Sequence, residues 1–396
     1  MHAREIKPGI QAISCVHWER RLFDALIPLP DGTSYNAYLV KGETATALID
    51  SADPALTEDL MEQLKDVDHI DYIVSQHSEQ DHAGAIPVLL SRYPSATVLC
   101  NEKACDMLLS LLHLQADRIQ LVKDGETLAL GGITLTFVYT PWVHWPETFC
   151  TYVPEYRLLF SCDFFGSHLA TTDLFVTDQA LVYEAAKRYY AEIMMPFRKT
   201  IVRNLAKLAE REIDMIAPSH GPVYDNPGFI VDAYRDWTSP QMKNEVVLPY
   251  ASMHGSTEIM VRHLIDALAR LGIKVHAFDL TVTDIGKLAI ALVDAATLVV
   301  GTPTVHVGPH PSVYYASHLA NLLRPKLRYA AIIGSYGWSS KAIEQIAGLI
   351  PDLTVKVVGT VLHKGLPDTG TFDQLDGLAA AIADAHAADP NVNTLS

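Results

Sequence analysis

Strands alternate with helices throughout the second half of the 396-residue chain, and this alternation limits the fold more than any other feature. The apolar runs that we interpret as strands are EVVLPYAS (245–252), KVHAFDL (274–280), TLVVGTPT (297–304), YAAIIGSYG (329–337) and LTVKVVGTVL (353–362). The helix after the first run has one apolar face, with residues spaced by three and four: Val261, Leu264, Leu268 and Leu271. Strands that alternate with helices form a parallel sheet with helices on both sides. We therefore predict a doubly wound five-stranded parallel sheet.

The first half instead consists of short strands joined by loops and helices. The predicted hairpin SYNAYLV and TATALID is followed by the strands DYIVSQ, ITLTFVYT, RLLFSCD and IDMIAPS. Around residues 233–245 the pattern becomes polar and aperiodic. We place a domain boundary there, with one domain over 1–243 and a second over 244–396.

Side chains able to bind metal collect at the ends of the first-half strands. The segment IVSQHSEQDHAGA (73–85) supplies four of them, and three later strands supply one each. The full set is His77, Glu79, Asp81, His82, His144, Asp163 and His220. Taken alone, His144 or His220 is more simply a structural histidine, so the prediction depends on the whole set.

We expect the first four ligands to lie on a loop, because a helix would splay them around its circumference. Zinc favours nitrogen and sulfur donors, whereas a mixture of histidine and carboxylate suits iron or manganese. Seven candidates suffice for two ions, and one carboxylate could bridge the pair. We predict no catalytic residue beyond these ligands.

A second candidate site begins at YASMHGSTE (250–258), which follows a strand and opens a helix. Such a loop can bind a phosphate on the positive end of the helix, although an ordinary helix cap has similar residues. It lacks the G-K-[ST] ending of a Walker loop. On a doubly wound sheet it resembles the phosphate loop of flavodoxin, which binds FMN, with the ring between the loops over 302–310 and 334–340. The predicted FMN-binding residues are Ser252, Met253, His254, Gly255, Ser256, Thr257, Pro303, Thr304, Val305, His306, Ser335, Tyr336, Gly337 and Trp338.

Composition argues against several other classes of protein. The net charge is −16, and the 30 basic residues form no stripe, which argues against a nucleic-acid or membrane partner. The five cysteines contain no C-x-x-C pair, so we expect neither a disulfide framework nor an iron–sulfur motif. Neither a signal pattern nor an apolar stretch of about 18 residues is found, and we expect a cytoplasmic protein.

With both halves in place, the chain resembles the flavodiiron proteins. The resemblance depends on H-x-E-x-D-H at 77–82, on His144, Asp163 and His220, and on the flavodoxin loop. It implies a metallo-β-lactamase-like αββα sandwich followed by a flavodoxin-like domain. It also implies two iron ions per chain: His77, Glu79 and His144 on one, Asp81, His82 and His220 on the other, and Asp163 between them.

The resemblance further implies a reaction and partners. The reaction is reduction of dioxygen to water, of nitric oxide to nitrous oxide, or of both, with electrons supplied through FMN. The assembly is a head-to-tail homodimer or a dimer of dimers. No rubredoxin or flavin-reductase module follows the second half, so we expect a separate electron donor, either rubredoxin or a reduced deazaflavin.

Two alternatives and two departures from the family remain. The chain could be a zinc-dependent hydrolase with an added flavodoxin domain, against which Glu79 argues, or an electron carrier with a structural metal domain. His306 and Val307 stand where many relatives carry asparagines, and Asp24 stands where some place a histidine near the iron pocket. These departures leave the flavin potential and the gas preference open.

Overall fold

The computed structural model describes residues 2–394, which form two compact units. One unit contains the residues up to Tyr189 together with Phe197–Thr238, and the other contains Tyr190–Pro196 together with the residues from Ser239 onward. The boundary after residue 243 stays a prediction. Within the described residues, each helix is too short or too polar to cross a membrane.

The first unit contains two sheets. Its strands are β1 (Arg4–Lys7), β2 (Ile10–His17), β3 (Leu22–Phe23), β4 (Ile27–Pro28), β5 (Thr33–Lys41), β6 (Thr46–Ile49), β7 (Tyr72–Val74), β8 (Thr97–Cys100), β9 (Ile119–Leu121), β10 (Thr127–Ala129), β11 (Thr134–Tyr139), β12 (Phe149–Val153), β13 (Leu158–Cys162) and β14 (Met215–Pro218). Its helices are α1 (Thr57–Gln63), α2 (Gln80–Ala83), α3 (Ile86–Arg92), α4 (Glu102–Leu111), α5 (Gln179–Tyr189), α6 (Arg198–Leu208) and α7 (Pro227–Thr238). One sheet has the order β1-β2-β5-β6-β7-β8-β9 and the other β10-β11-β12-β13-β14, while β3 and β4 pair separately.

The two sheets pack face to face, with helices outside them. Tyr38 and Ile49 of the first sheet share one apolar core with Phe137 and Phe160 of the second. The other face of the first sheet packs with residues of the helices α1, α3 and α4. On the side of the second sheet, residues of α6 and α7 line a cleft together with Ile216 of β14. This arrangement confirms the predicted αββα sandwich.

The loops that carry candidate ligands leave from matching strand ends. β6, β7 and β8 are parallel neighbours, and β13 and β14 are also parallel. Parallel neighbours end at the same edge of their sheet, so loops that follow them begin close together. Residues distant in sequence are brought together in this way.

The second unit contains the predicted parallel sheet. Its elements are β15 (Met242–Tyr250), α8 (Ser256–Arg270), β16 (Lys274–Asp279), α9 (Ile285–Leu292), β17 (Ala295–Val305), β18 (Gly308–Pro309), α10 (Pro311–Leu323), β19 (Tyr329–Tyr336), α11 (Ala342–Leu349), β20 (Lys356–Lys364), α12 (Thr369–Ala388) and β21 (Val392–Asn393). The five long strands are parallel in the order β16-β15-β17-β19-β20, as the flavodoxin-like prediction requires. Two short strands, β18 and β21, extend it.

The apolar face of α8 is confirmed except at its end. Leu264 and Leu268 are fully buried against the sheet, and Val261 is 1% exposed. Leu271 was predicted to belong to this face, but its side chain is 48% exposed. The helix ends at Arg270, so Leu271 is the C-terminal cap and leaves the helical periodicity.

Candidate metal centre and flavin cleft

The seven predicted metal ligands all lie in the first unit. Four of them were predicted to lie on one loop, but only two of those four do. His77 and Glu79 follow β7 in irregular backbone, whereas Asp81 and His82 lie on α2, so the loop prediction was wrong for these two. The Glu79 carbonyl accepts the N–H of His82 at 3.0 Å and thereby starts the helical turn. Neighbouring residues on a helix point about 100° apart, but the side chains of Asp81 and His82 still meet, with Oδ1 of Asp81 3.5 Å from Nε2 of His82.

The other three ligands come from three separate strand ends. His144 lies in the loop after β11, Asp163 directly follows β13, and His220 lies two residues beyond β14. The backbone N–H of Ser219 donates to the Cys162 carbonyl at 2.9 Å, which ties the last two ends together.

Four residues form the first group of inward-facing atoms. The Nε2 atoms of His77 and His144 each lie 3.0 Å from Oε2 of Glu79. They lie 3.4 Å and 3.3 Å from Oδ2 of Asp163. The side chains of Glu79 and His144 remain 11% and 12% exposed, so this group is the one that faces the exterior.

The second group is more deeply buried. The Nε2 atoms of His82 and His220 lie 3.5 Å and 3.4 Å from the two oxygens of Asp81. They lie 3.0 Å and 3.2 Å from Oδ1 of Asp163. Asp163 therefore turns one carboxylate oxygen to each group.

These distances fit a pair of metal ions. Two ligand atoms roughly 2.0–2.2 Å from one ion lie roughly 3–3.5 Å from each other. Among the described residues, both oxygens of Asp81, Nε2 of His82 and Oδ1 of Asp163 are buried without a hydrogen-bond partner. Buried polar atoms without partners are costly, and a shared cation would satisfy all of them.

The electrostatics of the cluster also favour cations. Burial by itself raises the pKa of Asp163, but the imidazoles of His82, His144 and His220 outweigh it and hold the pKa well below its usual value. Burial lowers the pKa of His77 and His220, but the adjacent carboxylates dominate and raise the pKa of both to about 10. The carboxylates therefore stabilise positive charge in a buried place, and metal ions would displace protons from these imidazoles.

Sequence reasoning missed the residues that orient the ligands. Oε1 of Glu147 lies 2.7 Å from Nδ1 of His77 and accepts the backbone N–H of Ser78 at 3.0 Å. The Ser34 carbonyl lies 2.8 Å from Nδ1 of His220. Glu147 lies three residues after His144 in the sequence. This proximity to a predicted ligand was the one sequence signal for a role of Glu147 at the site.

Asp50 was also missed, although it closes a strand as the ligands do. Its carboxylate accepts the backbone and side-chain N–H groups of Gln76 at 2.8 and 2.9 Å, and Ser219 at 3.2 Å. It fastens the loop before His77 to the loop before His220. Burial raises the pKa of the neighbouring Cys162 well above its ordinary value, so this residue stays a neutral thiol.

One tryptophan packs against the first group of ligands, and one further carboxylate influences it electrostatically. The Trp145 ring lies 5.0 Å from the His77 ring, centroid to centroid. Trp142 instead stacks on Phe197 at 6.1 Å. Desolvation raises the pKa of Asp24, and the charges of Glu79 and Asp81 raise it further, so this carboxyl group is within electrostatic reach of the cluster.

A cleft in the second unit contains most of the predicted flavin-binding residues. It is lined by Ser252, Met253, His254, Ser256, Thr257, Pro303, Thr304, Ser335, Tyr336, Gly337, Trp338 and Gly365. Gly365 was not predicted. Gly255, Val305 and His306 were predicted but do not line the cleft.

The last two residues lie outside the cleft because the chain reverses there. Thr304 pairs with Pro309 and Val305 with Gly308, which makes a two-residue hairpin turn. Its central residues, His306 and Val307, have φ angles of 46° and 73°. Because of this turn, Val305 and His306 do not line the cleft.

The cleft fits a phosphate at one end and a ring at the other. Gly255 has a φ of 88° and precedes α8, so the positive end of a 15-residue helix faces the loop. The buried hydroxyl of Thr257 lies 2.9 Å from Oγ of Ser335, which connects the two loops. Trp338 is 82% exposed and offers its ring for stacking.

Comparisons with known proteins identify a family for this chain. A family model described as ODP family beta lactamase matches residues 33–221. A nitric oxide reductase of Moorella thermoacetica is 37% identical over 85% of this chain and 86% of its own length. A coenzyme F420H(2) oxidase of Methanothermobacter marburgensis is 31% identical over 88% of this chain and 90% of its own.

Solved structures show the same likeness over the whole chain. The rubredoxin oxygen:oxidoreductase of Desulfovibrio gigas has a TM-score of 0.93 and 30% identity, covering 97% of this chain and 98% of its own. The flavodiiron protein of Giardia intestinalis has a TM-score of 0.91 and 27% identity, with 99% of both chains covered. The chain belongs to the flavodiiron protein family and is an oxidoreductase, which confirms the predicted resemblance.

Proposed function

We propose that this protein reduces dioxygen to water, nitric oxide to nitrous oxide, or both, using two iron ions and FMN. The observation that carries the proposal is the carboxylate of Asp163, which presents one oxygen to each of two groups of ligand atoms. Paired metal ions also occur in hydrolases, so the residue that argues against a zinc hydrolase is Glu79, because zinc favours nitrogen and sulfur donors. The names of the relatives, nitric oxide reductase and rubredoxin oxygen:oxidoreductase, also disfavour the zinc hydrolase.

The ligand assignment follows the two groups of atoms. His77, Glu79 and His144 would hold one ion, Asp81, His82 and His220 the other, and Asp163 both. The mixture of histidine and carboxylate ligands suits iron better than zinc. The chemistry that the iron pair and FMN supply, when bound, is reduction of a small gas with electrons that the flavin replaces.

The protein's own contribution is orientation and exclusion of water. Glu147 and Ser34 fix the rings of His77 and His220 through their outer nitrogens. Trp145 covers the ring of His77, while the partial exposure of Glu79 and His144 leaves an approach for a diatomic gas. A small, uncharged substrate suits so buried a place.

For the flavin we propose that the 252–257 loop holds the phosphate and that the loops over 302–310 and 334–340 flank the ring. The helix end behind Gly255 and the Thr257–Ser335 contact support the first part. The exposed ring of Trp338 and the lining by Tyr336 support the second.

The partners and the location are also proposals. The relatives' names point to rubredoxin or a reduced deazaflavin as separate donors. Exposed apolar side chains on both units, such as Trp18 and Trp338, support a head-to-tail homodimer or a dimer of dimers. The five free cysteines of the described chain suit a reducing cytoplasm.

The proposal is tested by anaerobic assays of one preparation loaded with iron and FMN. Rubredoxin and its reductase supply electrons, and the consumption of dioxygen and of nitric oxide is measured separately. The variant His144→Asn, which removes one ligand nitrogen, should lose consumption of both gases while its FMN is still reduced. Unchanged consumption in that variant would contradict the proposed site and support the electron-carrier alternative.

A further inference from the structure

Three of the four inward-facing imidazoles, those of His77, His82 and His220, differ in what their outer nitrogen, Nδ1, contacts. For His77 the partner is the carboxylate of Glu147 at 2.7 Å, and for His220 it is the carbonyl of Ser34 at 2.8 Å. Both partners are oxygen atoms at short hydrogen-bond distances. When Nε2 binds a metal, Nδ1 carries the proton, and its acceptor sets how basic the imidazole is.

His82 has a different partner. Its Nδ1 lies 3.7 Å from Sγ of Cys162, a residue that is 2% exposed and directly precedes Asp163. The nearest carboxylate oxygen is Oδ2 of Asp50, 4.0 Å away. That carboxylate already accepts hydrogen bonds from Gln76 and Ser219, which hold it in place.

The thiol is a much weaker acceptor than a carboxylate. Sulfur accepts weakly, whereas a hydrogen bond to a charged oxygen is about twice as strong as a neutral one. The sulfur lies at the Nδ1 edge of the ring, away from Nε2, so Cys162 cannot be a ligand of the ion that His82 would bind. Its position suits an acceptor for the Nδ1–H.

We propose that Cys162 is a positioning residue whose thiol accepts the Nδ1–H of His82 and makes this imidazole a weaker donor than that of His77. The inference rests on the proposed iron pair. The ion held by Asp81, His82 and His220 is therefore bound less tightly than the ion held by His77, Glu79 and His144. The two positions are unequal because of the atoms behind the ligands, although each position has two imidazoles.

The first test is the release of iron from the wild-type protein. The full chain is loaded anaerobically with ferrous iron, its iron content is checked to be about two ions per chain, and a ferrous chelator is added in excess. We expect two phases of equal amplitude. Fewer than two ions at the start would contradict the proposed metal site, whereas two ions released in one phase would contradict this inference alone.

Variants then assign the phases. Cys162→Ala removes the acceptor behind His82 and should accelerate the fast phase by roughly tenfold or more, leaving the slow phase unchanged. Glu147→Gln removes the charge behind His77 and should accelerate the slow phase alone. Equal acceleration of both phases in Cys162→Ala, or of neither, would overturn the proposal.

Cys150→Ala is the matched control. Cys150 is also fully buried, but its sulfur contacts Thr140 and the carbonyl of Ser161 and no ligand imidazole. The rates of both phases of iron release from Cys150→Ala should equal those of the wild type.

Discussion

At the residue scale, Asp163 connects the two groups of ligand atoms. It is 1% exposed, and each of its oxygens faces two histidines. Asp163 directly follows β13, which pairs in parallel with β14. This position places it between ligand groups that different loops supply. The proposed pairing of the two ions therefore depends on this one side chain.

We expect Asp163→Asn to lower iron affinity by roughly 100-fold or more, because an amide offers one neutral oxygen in place of two anionic ones. Iron content per chain after gel filtration measures the effect, and gas consumption should disappear with it. Asp232→Asn, which alters an exposed carboxylate on α7, is the control and should retain both. Two tightly held ions in Asp163→Asn would contradict the bridging role.

His386 predicts how stability depends on pH. It is buried between Thr297 and Asn244, at 2.6 and 2.7 Å, and burial lowers its pKa to about 4. Above pH 6.5 the imidazole is neutral in both the folded and the unfolded chain, so it contributes no pH dependence there. Between pH 6.5 and 4 the unfolded chain binds the proton and the folded chain does not, so stability decreases as the pH is lowered, by about 2 kcal/mol in all once solvent screening is allowed for.

The measurement is thermal unfolding of the full chain at pH values from 7 to 4. His386→Gln, which has no titrating group, should reduce the fall in the unfolding temperature of the second unit across this interval. An equal fall in the variant and the wild type would show that other groups are responsible.

At the scale of elements, helix ends and strand ends create both sites. The short helix α2 aims two ligands from adjacent positions, and α8 presents its N-terminus to the flavin cleft. Gly255 makes the entry to α8 possible, because its φ of 88° is unfavourable for residues with a Cβ. A Cβ there would meet no atom within 4 Å, so conformation and not space requires the glycine.

We expect Gly255→Ala to strain the phosphate loop by about 1–2 kcal/mol and to weaken FMN binding correspondingly. Gly377→Ala is the matched control, since that glycine also faces open space but lies inside α12 with an ordinary helical backbone. The control should stabilise the protein by about 0.5–1 kcal/mol and leave FMN unaffected. Flavin titration distinguishes the two, and equal FMN affinities would show that the loop has been assigned incorrectly.

At the scale of the whole molecule, the metal cluster and the flavin cleft belong to different units. Every predicted metal ligand belongs to the unit with the two-sheet sandwich, and every residue that lines the cleft belongs to the other. We therefore expect each cofactor to bind without the other. Electron transfer requires both.

Removal of FMN should leave iron content at about two ions per chain and abolish gas reduction driven by rubredoxin. Re-addition of FMN should restore the activity. The measurement is iron and flavin stoichiometry before and after removal, with activity at each stage. Loss of iron together with flavin would show that the two units depend on each other for metal binding.

Sequence alone determined the architecture of both units and the kinds of side chain at their sites. Apolar periodicity is local, so it predicted the parallel sheet after residue 244 and the strands whose ends carry His144, Asp163 and His220. The chemistry of histidine and carboxylate predicted a metal pair from the same residues.

Only the tertiary structure decided which atoms face which. Glu147 contacts His77 across 70 residues of sequence, and Cys162 contacts His82 across 80, because the packing of two sheets brings their loops together. Both Asp50 and Asp163 directly follow a strand, so sequence position does not distinguish them. Asp50 accepts hydrogen bonds from Gln76 and Ser219 in two loops, whereas Asp163 faces the ligand histidines. Such distinctions depend on distances of a few tenths of an ångström between groups that no local pattern connects.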